Sequence, residues 1–381
     1  MPRRPLLSRL ALVAAACGLA LLCAEVVVRV LRPQSVLLVS PGLYAPDPPY
    51  RYRLAPDFRG TITDRVEFTT AVAMNHQGLR GPELGPKRPD VLRILALGDS
   101  FTFGVGVAAE QAWPAVAAAD LGRGGAGAEA LNAGAPGYGA PDELGWLEAH
   151  GLGLDPDLVL LGVFVGNDLQ DATPGLQDVK VVDGALVVDA AAAHSLAGRV
   201  KRWLYYHSHL YVLAKAGIGS GRRLLGLPEP WAVREQREEM RLYSEAPTPA
   251  STAGAAATGA AYARLAELGR ERGFRVGALV IPSLQQVDPR AWHATLERLH
   301  LDPAHLDPAR PTRIFLDLLA SAGIPALDLA PVYAREIAGG ARLYYSIDGH
   351  LTPAGQALTG HEVARFVRER GLDARPAAPL N

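Results

Sequence analysis

From residue 91 onward the chain alternates short apolar runs with stretches of helical character, and few folds accommodate that alternation. Residues 91–97, 130–132, 157–165, 274–281 and 325–329 are strand candidates, most of them closed by Gly, Asn or Pro. Between them lie helix-like stretches at 111–121, 142–151, 259–272 and 311–322. This order calls for a parallel sheet covered on both faces by helices.

The chain has 381 residues, of which 49% are hydrophobic, enough for a sizeable core. Lys plus Arg (38) nearly balance Asp plus Glu (39), so no basic footprint points to nucleic acid. Both cysteines, Cys17 and Cys23, fall in an N-terminal apolar segment, which rules out a disulfide framework or a cysteine zinc site in the rest. Arg3, Arg4 and Arg9 precede the uncharged run 10–24, which continues past Glu25 as Val26-Val27-Val28. Counted to Leu31 the segment is long enough to cross a bilayer, and its basic flank places the rest of the chain outside the cytoplasm. An uncleaved signal anchor is the expectation. A cleaved signal peptide competes with it, although Leu22-Cys23-Ala24 is a poor small-x-small site; Leu22 before Cys23 also disfavours a lipoprotein.

Residues 33–90 are rich in Pro and aromatics, with one strand expected around 65–74, and are expected to form a stalk and lead-in. A long interruption at about 170–258 holds a hairpin candidate at 179–188 around Asp183-Gly184, an amphipathic helical stretch from 196 to about 244, and a low-complexity linker at 246–256. An insertion of this size beside a sheet's carboxyl edge is expected to act as a cap. Its Arg199, Lys201, Arg202, Trp203, Tyr205, Tyr206, His207, His209 and Tyr211 fit either a glycan or acidic lipid head group, or a solvated helix with a buried aromatic stripe.

The first run ends as Gly98-Asp99-Ser100-Phe101-Thr102-Phe103-Gly104. Ligands of open α/β sheets bind beyond the carboxyl ends of the strands, which makes Ser100 a candidate nucleophile. A serine needs a base and oxyanion donors to act as one. Asp348-Gly349-His350-Leu351-Thr352-Pro353 offers the base, because Asp348 and His350, two apart on an extended segment, project to the same side. Thr352 is the expected N-cap and Pro353 the first residue of a helix running to about 370. Two further strand ends carry donors. Asn132-Ala133-Gly134-Ala135-Pro136-Gly137-Tyr138-Gly139 is a glycine-rich turn that either brings an N–H to an oxyanion or simply reverses the chain. In Gly166-Asn167-Asp168, Asn167 either points its amide into the crevice or caps a helix.

These four segments resemble the blocks of the SGNH hydrolase superfamily, the GDSL-type esterases and lipases, in the family's order and at strand ends. The resemblance covers about residues 91–370 and, with the anchor and the insertion, is similar to a bacterial membrane-anchored subgroup. It implies a three-layer α/β/α, flavodoxin-like parallel sheet with a helical cap insertion and an N-terminal transmembrane helix. It further implies Ser100 as nucleophile and backbone oxyanion donor, Gly137 and Asn167 as the other donors, His350 as base and Asp348 as its partner, with no cofactor and no metal. Gly134 competes with Gly137; Gly137 stands five residues after Asn132, as in the better-matched members. The expected substrate is an acyl ester, acetyl among the candidates, of an envelope glycan or lipid. Many members place the aspartate three residues before the histidine. Here it is two, a spacing more like that of polysaccharide O-acetyltransferase relatives, so acyl transfer stands beside hydrolysis. The expected division is 1–32 anchor, 33–90 lead-in, 91–370 hydrolase domain and 371–381 tail.

Other classes fit less well. No G-x-S-x-G elbow occurs, against an ordinary α/β-hydrolase. Gly104-Val105-Gly106 stands too far from the strand end for a dinucleotide fingerprint, and no Walker A sequence occurs, so no nucleotide is expected. Among ten histidines only His207 and His209 are close together, at a spacing that does not share a helix face. A non-catalytic glycan-binding or envelope-assembly protein on the same fold is the remaining alternative.

Overall fold

The structure, a computed structural model, describes residues 4–34, 36–123, 127–175, 179–187, 195–215, 236–237, 239–244 and 248–374. Its first element is the helix Arg4–Leu31. Within it Ser8–Leu31, 24 residues, is apolar, with none of its most apolar window buried. At ~1.5 Å per residue such a helix reaches the ~30 Å of a hydrocarbon core.

Five short strands come next: β1 (Leu38–Val39), β2 (Tyr44–Asp47), β3 (Tyr50–Leu54), β4 (Arg59–Thr63) and β5 (Thr69–Ala73). They form an antiparallel sheet β1-β4-β5 and a β2-β3 hairpin. Tyr52, Leu54, Ile62, Met74 and Leu79 are buried in the same cluster as Leu95 and Leu97 of the main domain. The expected stalk at 33–90 is therefore corrected: the segment is knit into the domain. All but one of its prolines stand outside the strands, Pro48 and Pro49 joining β2 to β3; Pro46, inside β2, falls at the irregularity between Ala45 and Asp47 where the ladder is interrupted.

The central strands are β6 (Leu92–Gly98), β7 (Ala128–Asn132), β8 (Leu158–Phe164), β11 (Arg275–Ile281) and β12 (Ala326–Asp328), with a hairpin of β9 (Lys180–Val182) and β10 (Ala185–Val187) between β8 and β11. The five pair in parallel in the order β7-β6-β8-β11-β12. Counted along the chain this is 2-1-3-4-5, the flavodoxin-like order, with the switch point between β6 and β8. Strand side chains alternate between two cores. Leu95, Leu97, Leu161, Val163 and Val280 meet Tyr262, Leu265 and Phe315 from helices Pro249–Arg272 and Arg310–Ser321. Ile94, Ala96, Leu160 and Leu279 meet Trp113, Tyr333 and Phe366 from helices Trp113–Gly122, Ala330–Ala338 and Pro353–Glu369. Each fully buried Leu, Ile or Phe contributes ~1.5–3 kcal/mol, so a sheet buried on both faces is the dominant stabilising element.

The insertion differs from expectation in three ways. The linker expected at 246–256 mostly belongs to helix Pro249–Arg272, which starts ten residues before the expected 259. Thr248 caps it by accepting the Ser251 N–H, Pro249 pre-sets the first turn, and the small residues after it are helix formers or tolerated there. The helical stretch expected from 196 to about 244 begins as Leu196–His207, breaks at Ser208 and resumes at 209–215; residues 216–235 lie outside the described residues. No residue of Leu196–His207 is buried, so the buried aromatic stripe is not found there. The hairpin is present, with Asp183 and Gly184 both at positive φ as a tight Asp-Gly turn requires.

Candidate active site

β6 and β8 end side by side, Gly98 opposite Gly162. A Cβ on either glycine would come within 2.2 or 2.1 Å of Thr102 Oγ1, so their bareness lets the short helix Ser100–Phe103 settle onto the strand ends. Asp99 caps that helix by accepting the Phe101 N–H at 2.8 Å. Ser100 is thereby fixed at the switch point, on the wall of a cleft of about 800 Å³.

His350 reaches the same wall from the segment before helix Pro353–Glu369. Its Nε2 lies 2.9 Å from Ser100 Oγ, and its Nδ1 lies 2.5 Å from Asp348 Oδ1. The serine hydroxyl also faces Asp99 Oδ2, at 3.4 Å, a longer and weaker contact than the one to His350. Thr352 caps the helix, accepting the Gly355 N–H, with Pro353 in its first turn. The Phe101 ring packs on the imidazole at 5.1 Å, itself stacked on Phe164 at 3.7 Å. With the His350 and Asp348 side chains 15% and 6% exposed, the pair is held among protein atoms and only its edge is open to the cleft.

The loop carrying Asp348 is fastened by residues that no motif announces. Glu67, 7% exposed in its side chain, accepts the backbone N–H groups of Ser346 at 2.8 Å, Ile347 at 2.7 Å and Asp348 at 3.1 Å, and pairs with Arg342. Tyr345 packs against Phe68 with its ring tilted by 42° and donates its hydroxyl to the Gly106 carbonyl. On the far side of Ser100, buried Arg80 donates to the carbonyls of Phe103, Gly104 and Val107, which pins the loop after the nucleophile helix.

Asn167 lines the cleft, and its Nδ2 donates to Asp171 Oδ2 at 2.5 Å, leaving one amide hydrogen for another acceptor. Gly137 is not among the residues lining the cleft. It sits at φ +83° in a turn held from below by the lead-in, its carbonyl accepting from Arg51 at 2.7 Å while Tyr52 donates to the Pro136 carbonyl. Gly134, the competing glycine, spends its N–H on Asn132 Oδ1 and lies against the Thr102–Phe103 backbone, where a Cβ would fall 2.3 Å from the Phe103 nitrogen.

Behind the cleft four carboxyls share one buried region: Asp99, Glu143, Asp168 and Asp171. Burial pushes Asp99 up to about 6 and Asp171 up to about 8, the latter also through Asp99. Burial and mutual repulsion hold Glu143 and Asp168 well above the usual carboxylate range. Among the described residues no group of three His, Cys, Asp or Glu side chains is placed to hold a metal ion.

Residues 240–381 match the model of a family described as the SGNH hydrolase-like domain of acetyltransferase AlgX. No curated protein matches the sequence. Solved structures similar to the chain include TesA (16% identity, 73% of this chain, 98% of that chain, TM-score 0.37). Another is Axe2, an acetylxylan esterase from Geobacillus stearothermophilus (11% identity, 74% and 94%, TM-score 0.39). A third is the lipase/acylhydrolase from Enterococcus faecalis (15% identity, 73% and 96%, TM-score 0.36). The matched family model covers residues 240–381, the part that carries Asp348 and His350, while the Gly-Asp-Ser segment lies outside that match, at the switch point of the 2-1-3-4-5 parallel sheet.

Proposed function

We propose that the protein is a membrane-anchored, extracytoplasmic serine esterase that removes an acyl group, acetyl among the candidates, from an envelope glycan or lipid. The observation that carries this reading is the chain Ser100 Oγ, His350 Nε2 and Nδ1, Asp348 Oδ1, with contacts of 2.9 and 2.5 Å at the wall of one cleft. Ser100 Oγ attacks the ester carbonyl while His350 Nε2 takes its proton, and Asp348 holds the tautomer and stabilises the imidazolium. The Ser100 N–H and Asn167 Nδ2, both on the cleft wall, receive the oxyanion; the Gly137 N–H, expected as a third donor, belongs to a turn beside the lining residues and would have to reach in from there. Collapse expels the alcohol, which takes the proton from His350. Water, deprotonated by the same imidazole, then attacks the acyl-serine and releases the acid.

The site's place in the chain supports a membrane-borne or membrane-adjacent ester. Leu37, on the cleft wall, is six residues past Leu31, the end of the apolar helix, a chain length of at most ~20 Å. Arg4 and Arg9 at the other end favour the orientation with the cleft outside.

A second reading, transfer of the acyl group to a sugar hydroxyl, is favoured by the AlgX acetyltransferase description of the matched family and by the two-residue Asp348–His350 spacing. The two share the acyl-enzyme and differ in what resolves it. Incubating the full chain in detergent with an activated acetyl ester, with and without oligosaccharide acceptors, tests both. Free acetate lost in Ser100→Ala supports the esterase, and acetylated acceptor at the expense of acetate supports the transferase. Equal rates from wild type and Ser100→Ala would remove both and leave a non-catalytic protein.

A further inference from the structure

Helix Leu196–His207 presents a face that nothing among the described residues covers. Leu196, Val200 and Trp203, spaced i, i+4, i+7 on one stripe, are 76%, 49% and 59% exposed. Leu204, i+8 from Leu196 at the edge of that stripe, and Tyr205 on the opposite side are partly buried. The helix contains Arg199, Lys201 and Arg202 and no acidic residue. An exposed apolar stripe with a tryptophan, on a helix whose charged side chains are all basic, has the composition of a helix lying in a lipid interface.

The contacts at its end indicate which surface it meets. Glu25 of the apolar helix accepts from Ser208 Oγ at 2.7 Å and from the backbone N–H groups of His209 at 2.8 Å and Leu210 at 2.9 Å. Arg29 pairs with Glu25 and donates to the His207 carbonyl. The Gln34 N–H donates to His209 Nδ1 at 2.8 Å. The carboxyl end of Leu196–His207 is thus bolted to the last turns of Ser8–Leu31, with Glu25 about 9 Å along the axis from Leu31, towards one end of the candidate span. These contacts also give Glu25, the one acidic residue of the apolar segment, partners there.

We propose that Leu196–His207 is an interfacial helix, with Leu196, Val200 and Trp203 among the acyl chains and Arg199 and Lys201 on anionic lipid head groups. It clamps the domain in one orientation on the membrane. The proposal rests on the reading of Arg4–Leu31 as a retained anchor and deepens it: the membrane is held at two elements, not by a flexible tether.

The test uses the full chain with Cys17→Ala and Cys23→Ala, carrying single nitroxides at Leu19→Cys, Val200→Cys or Trp203→Cys, in nanodiscs of phosphatidylcholine and phosphatidylglycerol. Each labelled chain must first melt like the unlabelled one. The expected result is that labels at 200 and 203, like the one at 19, are relaxed by oxygen and lose relaxation by an aqueous nickel chelate. A lipid signature at 19 with full chelate access at 200 and 203 overturns the interfacial helix and leaves the anchor standing. Labels at 200 and 203 shielded from both reagents place protein on this face and overturn it too. A water signature at 19, or loss of that segment from the mature chain, overturns the anchor and the proposal with it.

Discussion

Glu67 and Asp348 stand 281 positions apart, and the carboxylate of the first accepts the backbone N–H of the second at 3.1 Å. The same carboxylate takes the N–H groups of Ser346 and Ile347, so one side chain of the lead-in sets the loop that aims the His350 partner. Glu67→Gln keeps the shape but turns an amide NH2 toward backbone donors. Because the Ser346 and Ile347 N–H groups can turn to water, the loss is that of ordinary hydrogen bonds to a charged acceptor, ~1–3 kcal/mol, and the misaimed imidazole lowers kcat by about 10- to 100-fold with KM little changed. Steady-state kinetics beside urea melts check this; lost stability with unchanged kcat would make Glu67 a purely structural clamp.

Asp348→Asn leaves the packing in place but offers His350 Nδ1 the wrong partner. A fall in kcat of ~10³- to 10⁴-fold is expected, with little change in melting temperature. Turnover of an activated acetyl ester by the purified variant measures it.

Asn167→Ala removes a side-chain donor from the cleft wall, and kcat is expected to drop ~10²- to 10³-fold. Gly137→Ala acts on backbone instead. Its φ of +83° and a Cβ 2.9 Å from the Tyr52 hydroxyl predict ~1–3 kcal/mol of destabilisation as well as lost turnover. Comparing the two variants by denaturation separates a donor lost from a turn distorted.

Asp171 ties stability to pH. Burial holds its folded value near 8 against an ordinary 3.8, so the native protein keeps a proton that the unfolded chain releases. Its contribution is full below about pH 4 and is lost as pH rises through about 8; Asp99, near 6, acts with the same sign. The protein therefore melts at lower temperature at about pH 9 than at about pH 5. Asp171→Asn, which still offers Asn167 an acceptor, narrows that gap by ~3 °C or more. Calorimetry at both pH values checks the sign.

Legibility of this fold and site in the sequence divides along physical lines. β6, β8 and β11 are buried on both faces, so β8 appears as an unbroken apolar run and the other two as runs interrupted only by Arg93 and by Arg275 at the start of β11. Ser100, Asn167, Asp348 and His350 lie in short contiguous segments whose chemistry is local. Glu67, Arg51 and Arg80 act across the tertiary structure, and a lone charged residue in a proline-rich lead-in carries no pattern. Asp171 has a weak signal, four residues after Asn167 on the same helix face. The start of helix Pro249–Arg272 is hidden because its Ala, Ser, Thr and Gly composition also suits a linker, although Thr248-Pro249 is a cap signal.

If Ser100 is a nucleophile activated by His350, a fluorophosphonate must phosphonylate it, and intact-mass spectrometry reads that adduct without any assumption about the natural ester. One adduct mapped to Ser100 in the wild type, none in Ser100→Ala and strongly slowed labelling in His350→Ala are the predicted results. A folded wild type that takes no label, or a Ser100→Ala chain labelled as fast as the wild type, is incompatible with that chemistry.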